Sequence, residues 1–400
     1  MAGIENHLCK NMLLLFCSLG TSLYGLTLDE VIVKALKQNP SLESIRHKIT
    51  ANRSNIDISK QLSNPMLSYT QNTINENQAM SRKTVTLQQK LPYFGKREGL
   101  EKLALAQEDL LIENLGQAKA SLVNAIKEQA YTVWEREKLY EIICDYEDLT
   151  RQNIELFESY TSTSDNHHMG IMSAELTLSD LRIQKSALSA KVYTAYSKLS
   201  YLASFEVSDL ELDLVITDMP GAADLQEGLA KNHDIAVKEK EVQKNRAMIE
   251  TAELNNYPDM SLLGAYSYRK NFDNYWTFGL GFSLPIYGRE DYKEQEARRL
   301  LLSTQSSKED TKTAVEKEFQ TAYLQMKSAY EIYHIVHDEA LPKIEHMFEL
   351  TNSSISTGGD LFKYIDILVH KLRLEQKSIT AVANYKRAQA KISALSGELE

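Results

Sequence analysis

The chain has 400 residues, of which 43% are hydrophobic, and this composition argues against global disorder. Its 45 lysines and arginines against 55 aspartates and glutamates give a formal net charge of −10. An acidic chain without a basic tract argues against nucleic acid as its main partner.

The N-terminus has the pattern of a secretory signal peptide. Lys10 precedes an apolar run from Met12 to Leu19, and small and polar residues follow up to Gly25. A run of this length suits the apolar region of a signal peptide and is too short to span a bilayer. We therefore predict a signal peptide over 1–25; the alternative is an N-terminal core helix.

One cysteine lies outside this segment. Cys9 and Cys17 fall within it, so only Cys144 remains after cleavage. A chain with one cysteine forms no intrachain disulfide and no multi-thiolate metal site. Lipidation of Cys17 is the less favoured alternative, because Phe16 is bulkier than a lipoprotein signal prefers at that place.

Four segments alternate between apolar and polar residues, as strands do. They are 66–72, 84–91, 260–268 and 276–284. One face is apolar and aromatic, and the other is largely Ser, Thr, Gln and Gly. The pattern predicts β-hairpins over 65–91 and 258–284 that cross a membrane, with lipid on the apolar side and water on the other. The alternative is a soluble hairpin packed on a core.

Such strands require more than one chain. Four strands do not close a barrel, and an open sheet edge is not tolerated in lipid. Because the smallest bacterial barrels have about eight strands, we expect the chain to oligomerise.

Each strand pair is bounded by prolines, where strand meets helix. These are Pro65, Pro92, Pro258 and Pro285. Proline suits such places because it ends sheet ladders and opens helices. Three aromatic residues beside them are predicted to form a belt at the membrane interface: Tyr93, Phe94 and Tyr287.

Long helices follow each hairpin. Apolar residues recur at alternating steps of three and four, which is coiled-coil spacing, at Val123, Ile126, Ala130, Val133, Tyr140 and Cys144. The glycine pattern predicts two helical segments in each half, broken once near 161–170 and 356–360. About 65 helical residues would extend about 100 Å at ~1.5 Å per residue, which makes a rod or the wall of a tube. Pro342 is predicted to kink the long helix of the second half.

The chain repeats itself at an offset of 193 residues. Asn39 recurs as Asn232, and the Leu-Pro-Tyr-Phe-Gly motif at 91–95 recurs as Leu-Pro-Ile-Tyr-Gly at 284–288. A solenoid unit has a period of roughly 20–50 residues, so this repeat is too long to be one. It predicts two structural repeats, 26–219 and 220–400, each with a helix, a β-hairpin and a long helical pair.

These features resemble the TolC-type outer membrane efflux proteins of Gram-negative bacteria. The opening helix of that family resembles Leu26–Glu30 through Ala35–Leu36 and Asn39–Leu42, and its strand-to-helix junction resembles Gln89–Arg97. Its second helical tip resembles Ser356–Leu368, and its closing helix resembles Tyr385–Gly397. The resemblance implies an α+β membrane protein, in which a long antiparallel α-helical coiled-coil barrel is continued by a transmembrane β-barrel. It implies four strands per protomer and twelve in a homotrimer.

The resemblance also implies location and partners. The barrel would lie in the outer membrane, among its lipids, and the helical tunnel in the periplasm. The protein would be the passive exit duct of a tripartite efflux or type I secretion system. An inner-membrane pump would supply energy, and a periplasmic adaptor would dock on the duct.

The helical tips are the candidate sites for gating and for contact with the adaptor. The candidate residues are Gly170, Ile171, Gly358, Gly359, Asp360, Leu361 and Asp366. Three copies of Asp360 or Asp366 facing the lumen would form an acidic ring that favours cations. The alternative for Asp360 is a helix cap.

A passive duct needs no catalytic group. We therefore expect no enzyme activity, no cofactor and no metal site. His334 and His337 have helical spacing and His167 and His168 are adjacent, but neither pair has the companion carboxylate or cysteine pattern of a firm metal site. His167 and His168 leave metal export open as an alternative cargo. The competing class is a secreted coiled-coil structural or adhesin-like protein without a pore, against which the alternating strands argue.

Overall fold

The structure is a computed structural model that describes residues 25–73, 78, 80–159, 165–216, 218–355 and 361–397. Apart from Gly25, the predicted signal peptide lies outside the described residues.

Long α-helices make up most of the described chain. In order they are α1 (Leu28–Gln38), α2 (Pro40–Lys60), α3 (Lys96–Ser159), α4 (Asp165–Ala203), α5 (Ala222–Glu227), α6 (His233–Leu254), α7 (Arg289–His334), α8 (Leu341–Ile355) and α9 (Leu361–Leu395). With 64 residues, α3 is about 95 Å long. The prediction of rod-like helices is confirmed.

The long helices break where the glycine pattern predicted. α3 ends at Ser159 and α4 begins at Asp165, while α8 ends at Ile355 and α9 begins at Leu361. Between α7 and α8 the helix widens to a π-helical turn, Ile335–Ala340, just before Pro342. A proline has no N–H to donate to the preceding turn, and π-helical turns occur where the regular hydrogen-bond ladder is interrupted.

Four strands form one antiparallel sheet, in the order β2 (Met66–Gln71), β3 (Arg82–Leu91), β5 (Met260–Arg269) and β6 (Tyr275–Phe282). The two hairpins therefore join through β3 and β5, which come from different halves of the sequence. Within the described residues, β2 and β6 each have a strand neighbour on one side only.

The strand register agrees with the predicted faces. Tyr69 pairs with Val85, Val85 with Tyr266, and Tyr266 with Trp276, so one apolar row crosses all four strands. Leu67, Leu87 and Phe278 lie in the next row on the same face. A slip of one residue in any strand would bring polar side chains into these rows.

A second, smaller sheet was not predicted. β1 (Leu26–Thr27) pairs in parallel with β4 (Leu210–Glu211) and fastens the start of the first helix to the segment after α4. Leu26 was expected to open the helix, but α1 begins at Leu28, with Thr27 as its N-cap.

The buried stripe of α3 follows the predicted spacing only in part. Val123, Ile126, Ala130 and Val133 are buried, but Tyr140 and Cys144 are half-buried, and Ile143 and Tyr146 take the core positions. A straight α-helix drifts about 20° per heptad against a strict 3.5-residue repeat. This drift rotates the buried stripe of α3 along the length of the helix. Both α4 and α9 pack against α3.

Candidate functional site

The outward face of the four-stranded sheet is apolar and exposed. Its exposed large residues include Leu67, Tyr69, Val85, Leu87, Leu262, Tyr268, Trp276, Phe278, Leu280 and Phe282. Monomeric soluble proteins rarely expose a contiguous apolar patch of more than a few hundred Å². This face therefore requires an apolar surrounding. Of the described helices, none is both long and apolar enough to span a bilayer.

The opposite face of the sheet is lined with small and polar side chains. Thr84 and Ser267 are in hydrogen-bond contact across β3 and β5, with 3.0 Å between their hydroxyl oxygens. Gly279 and Gly281 lie on the same face of β6. Ala265 and Ser267 are buried there, so small residues occupy the crowded side of the sheet. This face suits contact with water.

The two strand-to-helix junctions share one backbone conformation. Gly95 has φ +90° and Gly288, its counterpart 193 residues later, has φ +68°. Glycine adopts this left-handed region at no steric cost, which explains the repeated motif. The preceding residues, Phe94 and Tyr287, are 92% and 89% exposed and lie free of the core.

Asp259 connects the first junction to the second hairpin. Its Oδ1 accepts hydrogen bonds from the Tyr93 amide at 2.9 Å and from Lys96 Nζ at 2.7 Å. Lys96, only 8% exposed, also donates to the carbonyl oxygen of Tyr257 at 2.8 Å. The rings of Tyr93 and Tyr257 stack with centroids 4.5 Å apart.

This ion pair was missed from the sequence because the repeat does not preserve it. At the 193-residue offset, Lys96 corresponds to Arg289, but Asp259 corresponds to Met66. The predicted junction prolines stand beside these contacts: Pro65 and Pro258 precede β2 and β5, and Pro92 and Pro285 follow β3 and β6. That the junctions lie at a membrane interface stays a prediction.

The structure brings three of the predicted tip residues together. Gly170 and Leu361 are both buried, and a Cβ built on Gly170 would lie 3.1 Å from the Leu361 Cβ. Ile171 packs against the same apolar cluster. Asp366 stands apart, exposed, with its carboxylate 3.7 Å from His370 Nε2. Gly358, Gly359 and Asp360 lie outside the described residues.

A buried cluster of charged residues on α3 and α4 was also not predicted from the sequence. Glu147, 5% exposed, lies 2.7 Å from Arg151 and 2.7 Å from Lys185, and Arg182 approaches to 3.5 Å. Burial alone would raise the pKa of Glu147, but the hydrogen bond and charge of Lys185, with Arg151, lower it. Charged residues on a long helix usually mark a solvated face, so no sequence signal indicated this cluster.

The histidine pair on α7 does have a companion carboxylate, which corrects the sequence-based statement. Asp338 lies 2.6 Å from His334 Nδ1 and 2.9 Å from His337 Nδ1, and both Asp338 and His337 belong to the π-helical turn. Across the residues that the structure describes, no group of three or more His, Cys, Asp or Glu side chains could hold a metal ion. The side chain of His167 lies outside that description.

Comparisons with known proteins agree on the fold. Residues 225–398 match the family model for outer membrane efflux proteins. A membrane protein from Pseudomonas aeruginosa superposes with a TM-score of 0.79 at 17% identity, over 93% of this chain and 90% of that one. The CmeC outer membrane channel of Campylobacter jejuni gives 0.77 at 13% identity, over 92% and 85%.

The open state of the MtrE outer membrane channel of Neisseria gonorrhoeae gives a TM-score of 0.78 at 14% identity, over 93% of this chain and 89% of that one. No curated protein matches the chain. At these identities the structural likeness establishes the fold.

Proposed function

Because the chain contains an outer membrane efflux protein domain and has the fold of solved outer membrane channels, we propose that it is the passive exit duct of an efflux or secretion system. The sheet would lie in the outer membrane of a Gram-negative bacterium, and the helices would form a tunnel in the periplasm.

The two-faced sheet on top of long helices is the observation that carries this proposal. Its outer face is apolar and exposed, and its inner face is small and polar. Lipid outside and water inside is the arrangement of a transmembrane β-barrel. The helices below the sheet are far longer than those of a compact domain.

The open edges of the sheet support a homotrimer. In the described part of the chain, β2 and β6 each leave one backbone edge without a neighbouring strand, and such an edge is not tolerated in lipid. Pairing β6 of one copy with β2 of the next removes every edge when the ring closes. Three copies of a four-stranded sheet would form a twelve-stranded barrel.

The duct would have no catalytic group of its own. An inner-membrane pump would supply the energy and a periplasmic adaptor would dock at the helical tips. We propose Gly170, Ile171 and Leu361 as residues of the gate or of the adaptor contact, because two helix ends meet there. The contributions of Gly358, Gly359, Asp360 and Asp366 stay predictions.

The two tryptophans provide a test of the membrane location. Trp276 is 66% exposed on the apolar face of β6, whereas Trp134 is 8% exposed in the helical core. In vesicles with brominated acyl chains, the W134F variant, which keeps Trp276, should lose most of its fluorescence. The W276F variant, which keeps Trp134, should lose little. Equal quenching of the two variants would contradict the membrane location.

Conductance in a planar bilayer tests the pore. The purified oligomer should carry ionic current, and variants that separate the tips should carry more. A stable oligomer that inserts into the bilayer but never conducts would favour the adhesin-like alternative without a pore.

A further inference from the structure

The four membrane strands carry a charge of one sign, although the whole chain is acidic. They contain four basic residues, Arg82, Lys83, Lys90 and Arg269, and no aspartate or glutamate. The whole chain, by contrast, has a net charge of −10.

Three of these four residues lie on the polar face of the sheet. Arg82 and Lys90 lie on the same face of β3 as Thr84, Thr86 and Gln88, since all five are every second residue of the strand. Arg82 pairs with Arg269 on β5. Because side chains alternate with period two, these three share the water-facing side, and Lys83 points to the apolar side.

The two arginines are held in place at the loop end of the sheet. Arg82 Nη1 donates to the Tyr275 hydroxyl at 2.9 Å, and the Arg269 guanidinium stands 4.9 Å from the centre of the same ring. Arg269 also donates to the Asp273 backbone carbonyl from Nε at 2.9 Å. In the described part of the chain, neither guanidinium lies within ion-pair distance of a carboxylate. As far as the described residues go, both charges are therefore open to an ion in the lumen.

Lys90 extends the positive surface to the helix end of the sheet. It lines a cavity of ≈ 810 Å³ together with Gln88 and Ser261 of the polar face and with Arg97 and Lys244 of the helices. Among the described residues around this cavity, Asp259 alone is acidic, and it is paired with Lys96. The cavity therefore keeps a net positive charge.

We propose that the sheet end of the lumen favours anionic solutes, with Arg82, Arg269 and Lys90 as the residues that set this preference. The inference rests on the proposed function as a duct. In a trimer, three copies of each residue would form two positive rings, one at each end of the barrel. Rings of Arg and Lys select for anions in pores by the same electrostatics by which acidic rings select for cations.

The preference belongs to one end of the duct. At the tips the exposed Asp366 carries the opposite charge. Anions leaving the tunnel would meet a favourable potential at its last segment, and cations would meet a barrier there. The anionic class covers carboxylates, phosphates and acidic conjugates.

Reversal potentials across a planar bilayer, under a KCl gradient near 0.1 M, test this proposal. At that ionic strength charges act over about 10 Å, so pore-lining residues dominate. The full-length oligomer and the triple variant R82Q/R269Q/K90Q are compared. We expect the ratio of chloride to potassium permeability to fall at least about twofold in the variant.

Two further variants make the result specific. K83Q removes the same kind of charge from the apolar face next to Arg82, and it should leave the ratio unchanged. R82K/R269K retains both luminal charges and should also behave as wild type. If the triple variant does not assemble, K90Q alone is measured, because Lys90 lies far from the arginine cluster.

The outcomes separate this proposal from the proposed function. Absence of current from the wild-type oligomer in the bilayer would overturn the duct itself. A conducting wild type whose permeability ratio is unaffected by the triple variant, or affected equally by K83Q, would leave the duct intact and overturn the anion preference.

Discussion

Asn232 donates from Nδ2 to the carbonyl oxygen of Leu395 at 3.0 Å. The same bond occurs in the first half, where Asn39 donates to the carbonyl oxygen of Leu202 at 3.2 Å. Both pairs are 163 residues apart. Each asparagine also caps the helix that leads to a hairpin, so one side chain joins that helix to the end of the last helix of its half.

Replacing Asn232 with alanine should destabilise the protein substantially. Its Oδ1 accepts from the amides of Asp234 and Ile235, and its Nδ2 satisfies a helix-end carbonyl. Loss of the cap and of a buried hydrogen bond should cost about 2–4 kcal/mol. Thermal unfolding in detergent measures the change. N271A, in the exposed turn between β5 and β6, is the control, and an equal melting temperature for both variants would refute this role.

The Glu147 cluster should make stability depend on pH. Because the pKa of Glu147 is lowered in the folded state, its ionised form stabilises the fold. This contribution is fully present above the ordinary glutamate pKa of 4.5 and is lost as pH falls through the lower folded value.

The variant E147Q should therefore be less stable than wild type at neutral pH, with a free energy of unfolding lower by about 1–3 kcal/mol. Its melting temperature should be lower accordingly. The difference should shrink as the pH is lowered below 4.5. E155Q, on the same helix but exposed, is the matched control. A difference that stays constant between neutral and acid pH would mean that the charge of Glu147 is not responsible.

The pair of Lys96 and Asp259 should be coupled energetically. D259A leaves a buried ammonium with only the Tyr257 carbonyl, and it also removes the acceptor of the Tyr93 amide. A loss of about 1–3 kcal/mol is expected, seen as a lower melting temperature in detergent. D273A, in the outer turn, should be neutral because only the Asp273 backbone carbonyl is used by Arg269.

The double variant K96M/D259A completes the cycle. Methionine removes the unpaired charge while keeping an apolar stem, so part of the lost stability should return. Additive effects of K96M and D259A would show that the two side chains act independently.

Enlarging Gly170 should separate α4 from α9 at the tips. A Cβ there is already close to Leu361, and the branches of valine would overlap it. If these helix ends form the gate, G170V should raise the conductance, and adding L361A should reverse the increase by making room. M169V changes the exposed neighbouring residue and is the control. Equal conductance for G170V and M169V would remove Gly170 from the gate.

The elements whose residue pattern repeats over many positions could be predicted from the sequence. Strand faces follow from alternation and helix breaks from the glycine positions, and Tyr69, Val85, Tyr266 and Trp276 lie on one apolar face as expected. The β1–β4 pair could not be predicted, because two-residue strands have no periodicity. The division into halves at 219 and 220 stays a prediction.

Which charged residues contact one another could not be predicted from the sequence, for a different reason. Glu147 and Lys185 are separated by 38 positions on two long helices, and only the packing of those helices decides which charges become buried. Lys96 and Asp259 come from different halves, and the repeat conceals their pairing because only one partner has a charged counterpart.

That unmatched pair has a consequence for symmetry. A ring of three chains contains six half-units and two kinds of seam, one within each chain and one between chains. Lys96 and Asp259 close the seam within the chain, whereas in the proposed trimer the corresponding place between chains would have Arg289 opposite Met66 of the next chain. The proposed ring would thus have approximate sixfold symmetry in its backbone but only threefold symmetry in its side chains. In such a ring the first half could not take the place of the second without losing the Lys96–Asp259 pair.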